Sequence, residues 1–214
     1  MDIVASITDL YRESNWKDIV HLYHDHPERN KLLWVYPSED NFSFVKQCLQ
    51  ELRCDRIVSI GCGSGLLEWM ITQATGVPVQ GIEVDGAWWR CKYAPPTFIP
   101  LHFTPPEIDK DTITLLQRNN NSALLFCYFN NRTAFNDYLK YYTGSVLIII
   151  GPHQKGVHTD PQPFNDVSED WVLYKSQEIR SSATDSPLCR DSFDAEKPAT
   201  HVILACKDVH KSLE

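Results

Sequence analysis

The chain has 214 residues, of which 43% are hydrophobic and 22% charged, and this is enough apolar material for one sizeable core. A formal net charge of −8 argues against a broad non-specific nucleic-acid surface, because such a surface needs clustered Lys and Arg. The start MDIVASITDLYRESNW lacks the basic and apolar regions of a signal peptide, and no apolar run approaches membrane-spanning length. We therefore expect no membrane association, and nucleic acid is not the favoured partner.

Cysteine usage indicates a reducing compartment. The seven cysteines are scattered without a CxxC pair, which fits free thiols better than a disulfide framework. We expect a cytoplasmic or nuclear protein. No linker or low-complexity tract divides the sequence, so we predict one domain over residues 1–214, with a helical extension over about 1–35.

The predicted elements alternate along the chain. Residues 2–25 predict one or two amphipathic helices, and residues 36–52 predict a helix with Ser38 as its N-cap. After these come predicted strands at 56–61, 77–85, 97–103, 123–129 and 145–151, and helices at 66–75, 112–119 and 132–142. Continuous apolar strands that alternate with helices indicate a parallel sheet covered on both faces.

The C-terminal part departs from this alternation. The runs at 171–179 and 201–207 are strand-like, and no convincing helix separates them. We predict an antiparallel pair at the sheet edge. The fold class is therefore α/β, a three-layer sandwich around a mostly parallel seven-stranded sheet with an antiparallel terminal strand pair.

The stretch IVSIGCGSGLLEW, residues 57–69, predicts a ligand-binding turn. A strand, a glycine-rich turn and a helix N-terminus leave unpaired backbone N–H groups beside a ligand. The spacing Gly61-x-Gly63-x-Gly65 departs from the dinucleotide fingerprint, because Leu66 stands where the third glycine would be. Glu83 ends the next strand about twenty residues on, the interval at which an acid reaches a ribose diol. The alternative, a tight structural turn with an exposed Glu83, stays open.

Two sequence segments carry a resemblance to a known family. VSIGCGSGLLE followed by GIEVD resembles the S-adenosylmethionine-binding segment of the Rossmann-like, class I methyltransferases. YPSEDNFSFV and LLFCYFNNRTAFNDYLKYYTGSVLIIIGP are similar to a poorly characterised group of small methyltransferase-like proteins. The resemblance spans residues 35–207. It implies S-adenosylmethionine as cofactor and direct methyl transfer to an unidentified acceptor, either a small molecule or a protein side chain.

The same resemblance implies cofactor-binding residues. The three loop glycines would line the methionine and ribose side, Glu83 would bind the ribose hydroxyls, and Val84 would flank the adenine. Pro37 and Ser38 would cover the cofactor. The full predicted set is Pro37, Ser38, Ser59, Gly61, Cys62, Gly63, Gly65, Glu83, Val84 and Tyr128.

Two departures from the family pattern support an alternative function. The usual acid two residues before the first glycine is Ser59 here, which weakens one contact toward the methionine amino group. The fourth strand ends Tyr128-Phe129-Asn130-Asn131 and lacks the Asp/Asn-Pro-Pro-aromatic motif of amino-group methyltransferases. A non-catalytic, cofactor-binding sensor or partner subunit is therefore the second hypothesis. A nicotinamide oxidoreductase is disfavoured by Leu66.

The predicted catalytic residues are Asn130, Asn131 and His153. They follow the strands that flank the expected ligand crevice, where an amide oxygen of Asn130 could orient a nucleophile. Capping of the helix that starts at Arg132 is an equally good explanation of the Asn pair. His153 could take a proton from the acceptor, or it could be an ordinary residue of a solvated loop.

A histidine-rich segment invites a metal interpretation. HLYHDHPE, residues 21–28, brings His21, His24, Asp25 and His26 close together, but the sequence marks no further ligand elsewhere. We predict no metal site.

Overall fold

The computed structural model describes residues 2–152, 159–163, 169–179 and 201–208. The α-helices are Ile3–Arg12 (α1), Trp16–Asp25 (α2), Glu39–Glu51 (α3), Leu66–Thr75 (α4), Gly86–Trp89 (α5), Lys110–Gln117 (α6) and Arg132–Tyr141 (α7). The strands are Arg56–Ile60 (β1), Val79–Glu83 (β2), Leu101–Phe103 (β3), Ser122–Cys127 (β4), Val146–Pro152 (β5), Trp171–Ile179 (β6) and His201–Asp208 (β7).

The strands form one seven-stranded sheet in the order β3-β2-β1-β4-β5-β7-β6. Strands β1 to β5 run parallel to one another, whereas β7 runs antiparallel to both β5 and β6. The predicted fold class, including the antiparallel terminal pair, is confirmed. The strand order reverses between β1 and β4, and ligands of open α/β sheets bind beyond the carboxyl ends of the strands at this place.

Helices cover both faces of the sheet because successive strand residues point to opposite sides. On one face, Ile57, Leu125 and Ile148 pack in a hydrophobic core with residues of α1 to α4. On the other face, a second core forms from the alternate strand residues and from α6 and α7. Its strand members are Val58, Ile60, Ile82, Leu124, Phe126, Leu147 and Ile149.

The N-terminal helices belong to the first of these cores. Ile3 and Ile7 of α1 and Ile19 and Tyr23 of α2 are buried in the same cluster as Met70 of α4. The sequence predicts one or two helices here, and the structure has two. Within the described part of the chain, no helix combines the length and apolar composition needed to cross a membrane.

The third predicted strand is shorter than the sequence indicates. The sequence predicts a strand over 97–103, but β3 begins at Leu101. The reason is that the Phe98 amide donates to the Ser64 carbonyl at 2.8 Å, outside the sheet, and Pro100 has no N–H to offer a ladder. Residues 97–100 therefore lie against the glycine loop, and Ile99 packs where a side chain on Gly65 would otherwise project.

A glycine stands at each end of helix α4. Gly65 precedes it with φ of 75° and Gly76 follows it with φ of 78°, both in the left-handed region that glycine adopts without strain. An added Cβ on Gly76 would meet nothing within 4 Å, whereas one on Gly65 would lie 2.3 Å from Cγ1 of Ile99.

This contrast makes the two glycines a matched pair. Gly76→Ala is expected to lower the free energy of unfolding by about 1–2 kcal/mol through backbone strain alone. Gly65→Ala should lose about 1–3 kcal/mol more, because the new methyl group overlaps Ile99. Urea denaturation of both variants measures the difference, and equal losses would contradict the close approach of Ile99. Adding Ile99→Ala to Gly65→Ala should recover part of the extra loss.

Candidate functional site

The glycine loop lies at the carboxyl end of β1, between β2 and β4. Its backbone is held from the β2 side, since the Gly61 amide donates to the Ile82 carbonyl at 2.9 Å. Gly61, Gly63 and Gly65 all have positive φ, so the chain turns sharply from the strand into α4. The predicted crevice between β1 and β4 is therefore the place where this loop stands.

The Glu83 carboxylate points at the loop. Its Oε1 accepts a hydrogen bond of 2.6 Å from the Gly63 amide, and its Oε2 accepts one of 3.3 Å from the Val84 amide. A charged acceptor makes the stronger class of hydrogen bond to a backbone donor. The predicted acid and the predicted loop are thus in direct contact, although Glu83 stands 20 positions after Gly63 in the chain.

A cavity of about 340 Å³ opens on one side of the loop, and we call it the β2 cavity. Glu83 and Val84 at the end of β2 line it together with Gly61. Its walls are mainly apolar and include Ile82, Ile108, Phe129 and Tyr138. An apolar slot whose lining also includes the carboxylates of Glu83 and Asp137 suits a flat heterocycle carrying hydroxyl groups.

A second cavity, of about 230 Å³, opens on the other side of Gly61, and we call it the α4 cavity. One wall comes from residues 30–35, in the segment between α2 and α3. The opposite wall comes from the loop, from Glu68 in the first turn of α4 and from Cys127 at the end of β4. Gly61 lines both cavities, so the loop stands between them.

Glu68 is a buried carboxylate in the α4 cavity. Its side chain is 2% exposed, and its Oε1 accepts a hydrogen bond of 2.7 Å from the Ser59 hydroxyl. Its Oε2 is buried and has no hydrogen-bond partner in the described structure. Burial raises the pKa of Glu68 to about 7, against the opposing effect of the Ser59 hydrogen bond.

The thiols beside Glu68 are not activated. Burial raises the pKa of Cys62 and of Cys127 well above the ordinary range, and the neighbouring Glu68 carboxylate adds to both shifts. Both cysteines therefore remain neutral at physiological pH. Cys62 fills space against the next strand, where a Cβ on Gly81 would lie 2.4 Å from its sulfur.

An aromatic pair stands at the end of β4. Tyr128 has φ of 53°, a conformation uncommon for a bulky residue, and its ring stacks on that of Trp34 with centroids 6.1 Å apart. Trp34 lines the α4 cavity, yet its side chain is 72% exposed. Strained backbone and exposed aromatic rings occur together at many binding sites.

The two predicted asparagines lie beside a later loop. The side chain of Asn131 accepts a hydrogen bond of 3.0 Å from the Ala134 amide and so caps α7, and the residue also lines the β2 cavity. Asn130 is exposed and forms a parallel bridge with Asp160. The Asp160 carboxylate accepts from Nε of Arg132 at 2.6 Å, which joins this loop to α7. His153 lies outside the described residues.

Pro37 and Ser38 are not among the residues that line the two cavities. The Pro37 carbonyl accepts a hydrogen bond from Tyr23, and Ser38 forms the predicted N-cap of α3 in a capping box with Asn41. The neighbouring residues 30–35 line the α4 cavity instead.

The histidines near the end of α2 contact protein groups. His21 lies 3.5 Å from a carboxylate oxygen of Glu39, and Nδ1 of His26 accepts from the Glu28 amide at 3.1 Å. Among the residues that the structure describes, no group of three or more His, Cys, Asp or Glu side chains is arranged to hold a metal ion.

Sequence reasoning missed two features of the α4 cavity, Glu68 and the wall that includes Trp34. A signal for Glu68 existed, because Ser59 stands where the resembled family has an acid, and Glu68 is the next acid along the chain. Helical spacing alone does not show that its side chain points back toward β1. No sequence signal connected Trp34 to the loop.

No protein-family model matches the chain, and no curated protein matches it. Among solved structures, it is similar to an O-methyltransferase from Bacillus cereus in complex with SAH, at 13% identity and a TM-score of 0.48 over 90% of each chain. It is similar to a putative methyltransferase from Thermobifida fusca, at 11% identity and a TM-score of 0.44 over 78% of each chain. It is also similar to the 16S rRNA methylase ArmA, at 11% identity and a TM-score of 0.45, over 96% of this chain and 97% of that one.

Proposed function

We propose that this chain is an S-adenosylmethionine-dependent methyltransferase. The observation that carries the proposal is the pair of cavities on either side of Gly61. The β2 cavity combines apolar walls with the Glu83 carboxylate, and the α4 cavity ends in the Glu68 carboxylate. An adenosyl sulfonium has the matching parts, which are a flat base, a ribose diol and an ammonium group at its amino-acid end.

The β2 cavity fits the adenosine half. Ile82, Val84 and Ile108 offer apolar contact to a purine, and the Glu83 oxygens can accept from both ribose hydroxyls. The Gly63 amide holds Glu83 in place at 2.6 Å, so the carboxylate is oriented before a ligand arrives. A Cβ added to Gly63 would have no neighbouring atom within 4 Å, so the space beside this part of the loop is open.

When bound, the cofactor supplies an already activated methyl group, so the protein's task is to align an acceptor and exclude water. The described residues near the opening of the α4 cavity suit that task. Trp34 and Tyr128 form an aromatic edge, and Asn130 is the second residue after Tyr128 in the chain. We infer that the acceptor, a small molecule or a protein side chain, approaches past this edge and that Asn130 orients its nucleophilic atom. His153 remains a proposed proton acceptor.

Replacing Glu83 tests the cofactor site. Glu83→Gln removes a charged acceptor whose hydrogen bonds are worth about 1.5–3 kcal/mol each, so binding of S-adenosylhomocysteine should weaken by roughly 10- to 100-fold. Isothermal titration calorimetry measures the change. Glu13→Gln, an exposed position at the end of α1, is the matched loss of charge and should leave binding unchanged. Wild-type protein that binds NAD and not S-adenosylhomocysteine would refute the proposal.

Replacing Asn130 tests the acceptor side. Cell extracts incubated with the protein and methyl-labelled S-adenosylmethionine should show one size fraction that gains label. With that fraction as substrate, Asn130→Ala should lower the transfer rate by about tenfold or more, in the range expected for a lost orienting group. It should not change S-adenosylhomocysteine binding.

Asn136→Ala, on the exposed side of α7, is the matched control and should transfer at the wild-type rate. An Asn130→Ala variant with full transfer activity would remove Asn130 from the site. A wild-type protein that binds the cofactor but labels no fraction would favour a non-catalytic sensor or partner subunit.

A further inference from the structure

Only one of the two carboxylate oxygens of Glu68 has a hydrogen-bond partner in the described structure. An ionised carboxylate can accept about four hydrogen bonds, and a buried polar atom without a partner is unfavourable. Ser59 occupies Oε1 at 2.7 Å, while Oε2 is buried, unpartnered in the described structure and part of a residue that lines the α4 cavity. A hydrogen-bond donor brought by a ligand would satisfy Oε2.

We propose that Glu68 binds the ammonium group at the amino-acid end of the cofactor, with Ser59 as the residue that orients its carboxylate. This inference rests on the proposed function and goes beyond it, because it assigns a subsite to a residue outside the glycine motif. The carboxylate reaches the site from the first turn of α4, and the neighbouring strand position supplies only a hydroxyl.

The charges around Glu68 favour a cationic ligand. Cys62 of the loop and Cys127 of β4 are neutral thiols, and Glu83 beyond the loop is a second carboxylate. The cationic side chain of Lys31 lines the same cavity, but its Nζ is 2.6 Å from Glu28 and 3.7 Å from Asp2. The second of those contacts also links α1 to this segment.

A cation brought by a ligand would change the protonation of Glu68. Because burial raises its pKa to about 7, part of the free protein carries a neutral carboxyl at neutral pH. An ammonium group next to Oε2 favours the ionised form, so binding transfers the carboxyl proton to solvent. Affinity should therefore rise as pH rises toward 7 and level off above it.

The decisive experiment compares two ligands that share the adenosine end. S-adenosylhomocysteine has the amino-acid end, and 5′-methylthioadenosine lacks it. Glu68→Gln keeps the size of the side chain and removes its charge. We expect it to weaken S-adenosylhomocysteine binding by about tenfold or more, as for a lost charge-assisted contact, and to leave 5′-methylthioadenosine within about twofold. Glu83→Gln is the contrasting variant and should weaken both ligands.

The possible outcomes separate the two proposals. Wild-type protein that binds neither ligand would overturn the proposed function. Wild-type protein that binds both, with Glu68→Gln weakening both equally or neither, would overturn the role of Glu68 and leave the proposed function standing. A selective loss for S-adenosylhomocysteine supports both.

Ser59→Ala is a second variant that does not alter the carboxylate itself. It removes the hydrogen bond to Oε1, so S-adenosylhomocysteine should bind several-fold more weakly and 5′-methylthioadenosine as before. Melting temperatures of both variants, with and without 5′-methylthioadenosine, confirm that they fold and keep the adenosine site. Unchanged S-adenosylhomocysteine affinity in folded Ser59→Ala would remove Ser59 from the subsite.

A pH series distinguishes a charged contact from a merely structural role. For wild-type protein, S-adenosylhomocysteine affinity should rise from about pH 5.5 to about pH 7.5, by up to about tenfold per unit below the carboxyl pKa. The rise should be absent for 5′-methylthioadenosine and for Glu68→Gln. Calorimetry in two buffers of different ionisation heat should detect proton release near pH 7 in the wild type alone. The same pH profile in wild type and Glu68→Gln would overturn the inference.

Discussion

The arrangement of the site depends on the turn between β1 and α4. The turn requires glycines at positions of positive φ, and it places backbone donors beside the Glu83 carboxylate. The 2.6 Å contact from the Gly63 amide to Glu83 joins the ends of two neighbouring strands across the crevice. Residues 97–100 brace the turn from outside through the Ser64 carbonyl and Ile99. The loop is thus held by β1, β2, α4 and residues 97–100 before any ligand binds.

This fixed loop divides the crevice into two chemically different parts. One part is an apolar slot edged by Glu83, and the other ends in the half-satisfied Glu68. Two ionised carboxylates on either side of one loop repel each other, and the nearby thiols carry no positive charge that could offset the repulsion. A ligand that brings an ammonium group to Glu68 would offset this repulsion.

The region at the end of β4 shows how one residue can serve two purposes. The sequence left open whether Asn131 caps a helix or faces a ligand. In the structure Asn131 caps α7, and it also lines the β2 cavity. Tyr128 adopts a left-handed conformation there, and its ring meets Trp34 from a segment far away in the chain. The bridge between Asn130 and Asp160 brings a later loop to the same edge. Local capping and long-range assembly therefore act on neighbouring residues.

The sequence by itself determined the features that arise from local chemistry. Hydrophobic runs indicated the strands and helices, Ser38 marked the start of a helix, and the spacing from the loop to Glu83 indicated a ligand crevice. The length of β3 was overestimated because the Phe98 amide donates to the Ser64 carbonyl of the loop and not to a neighbouring strand. No local sequence pattern reveals this contact.

Tertiary structure alone decided which distant groups meet at the loop. It brought residues 30–35 to the α4 cavity and turned Glu68 toward Ser59. The physical reason is that these contacts form only when α4 packs on the sheet and the N-terminal helices pack on α4. Burial then gives Glu68 a raised pKa, a property that belongs to the packed fold and not to the residue or its neighbours in sequence.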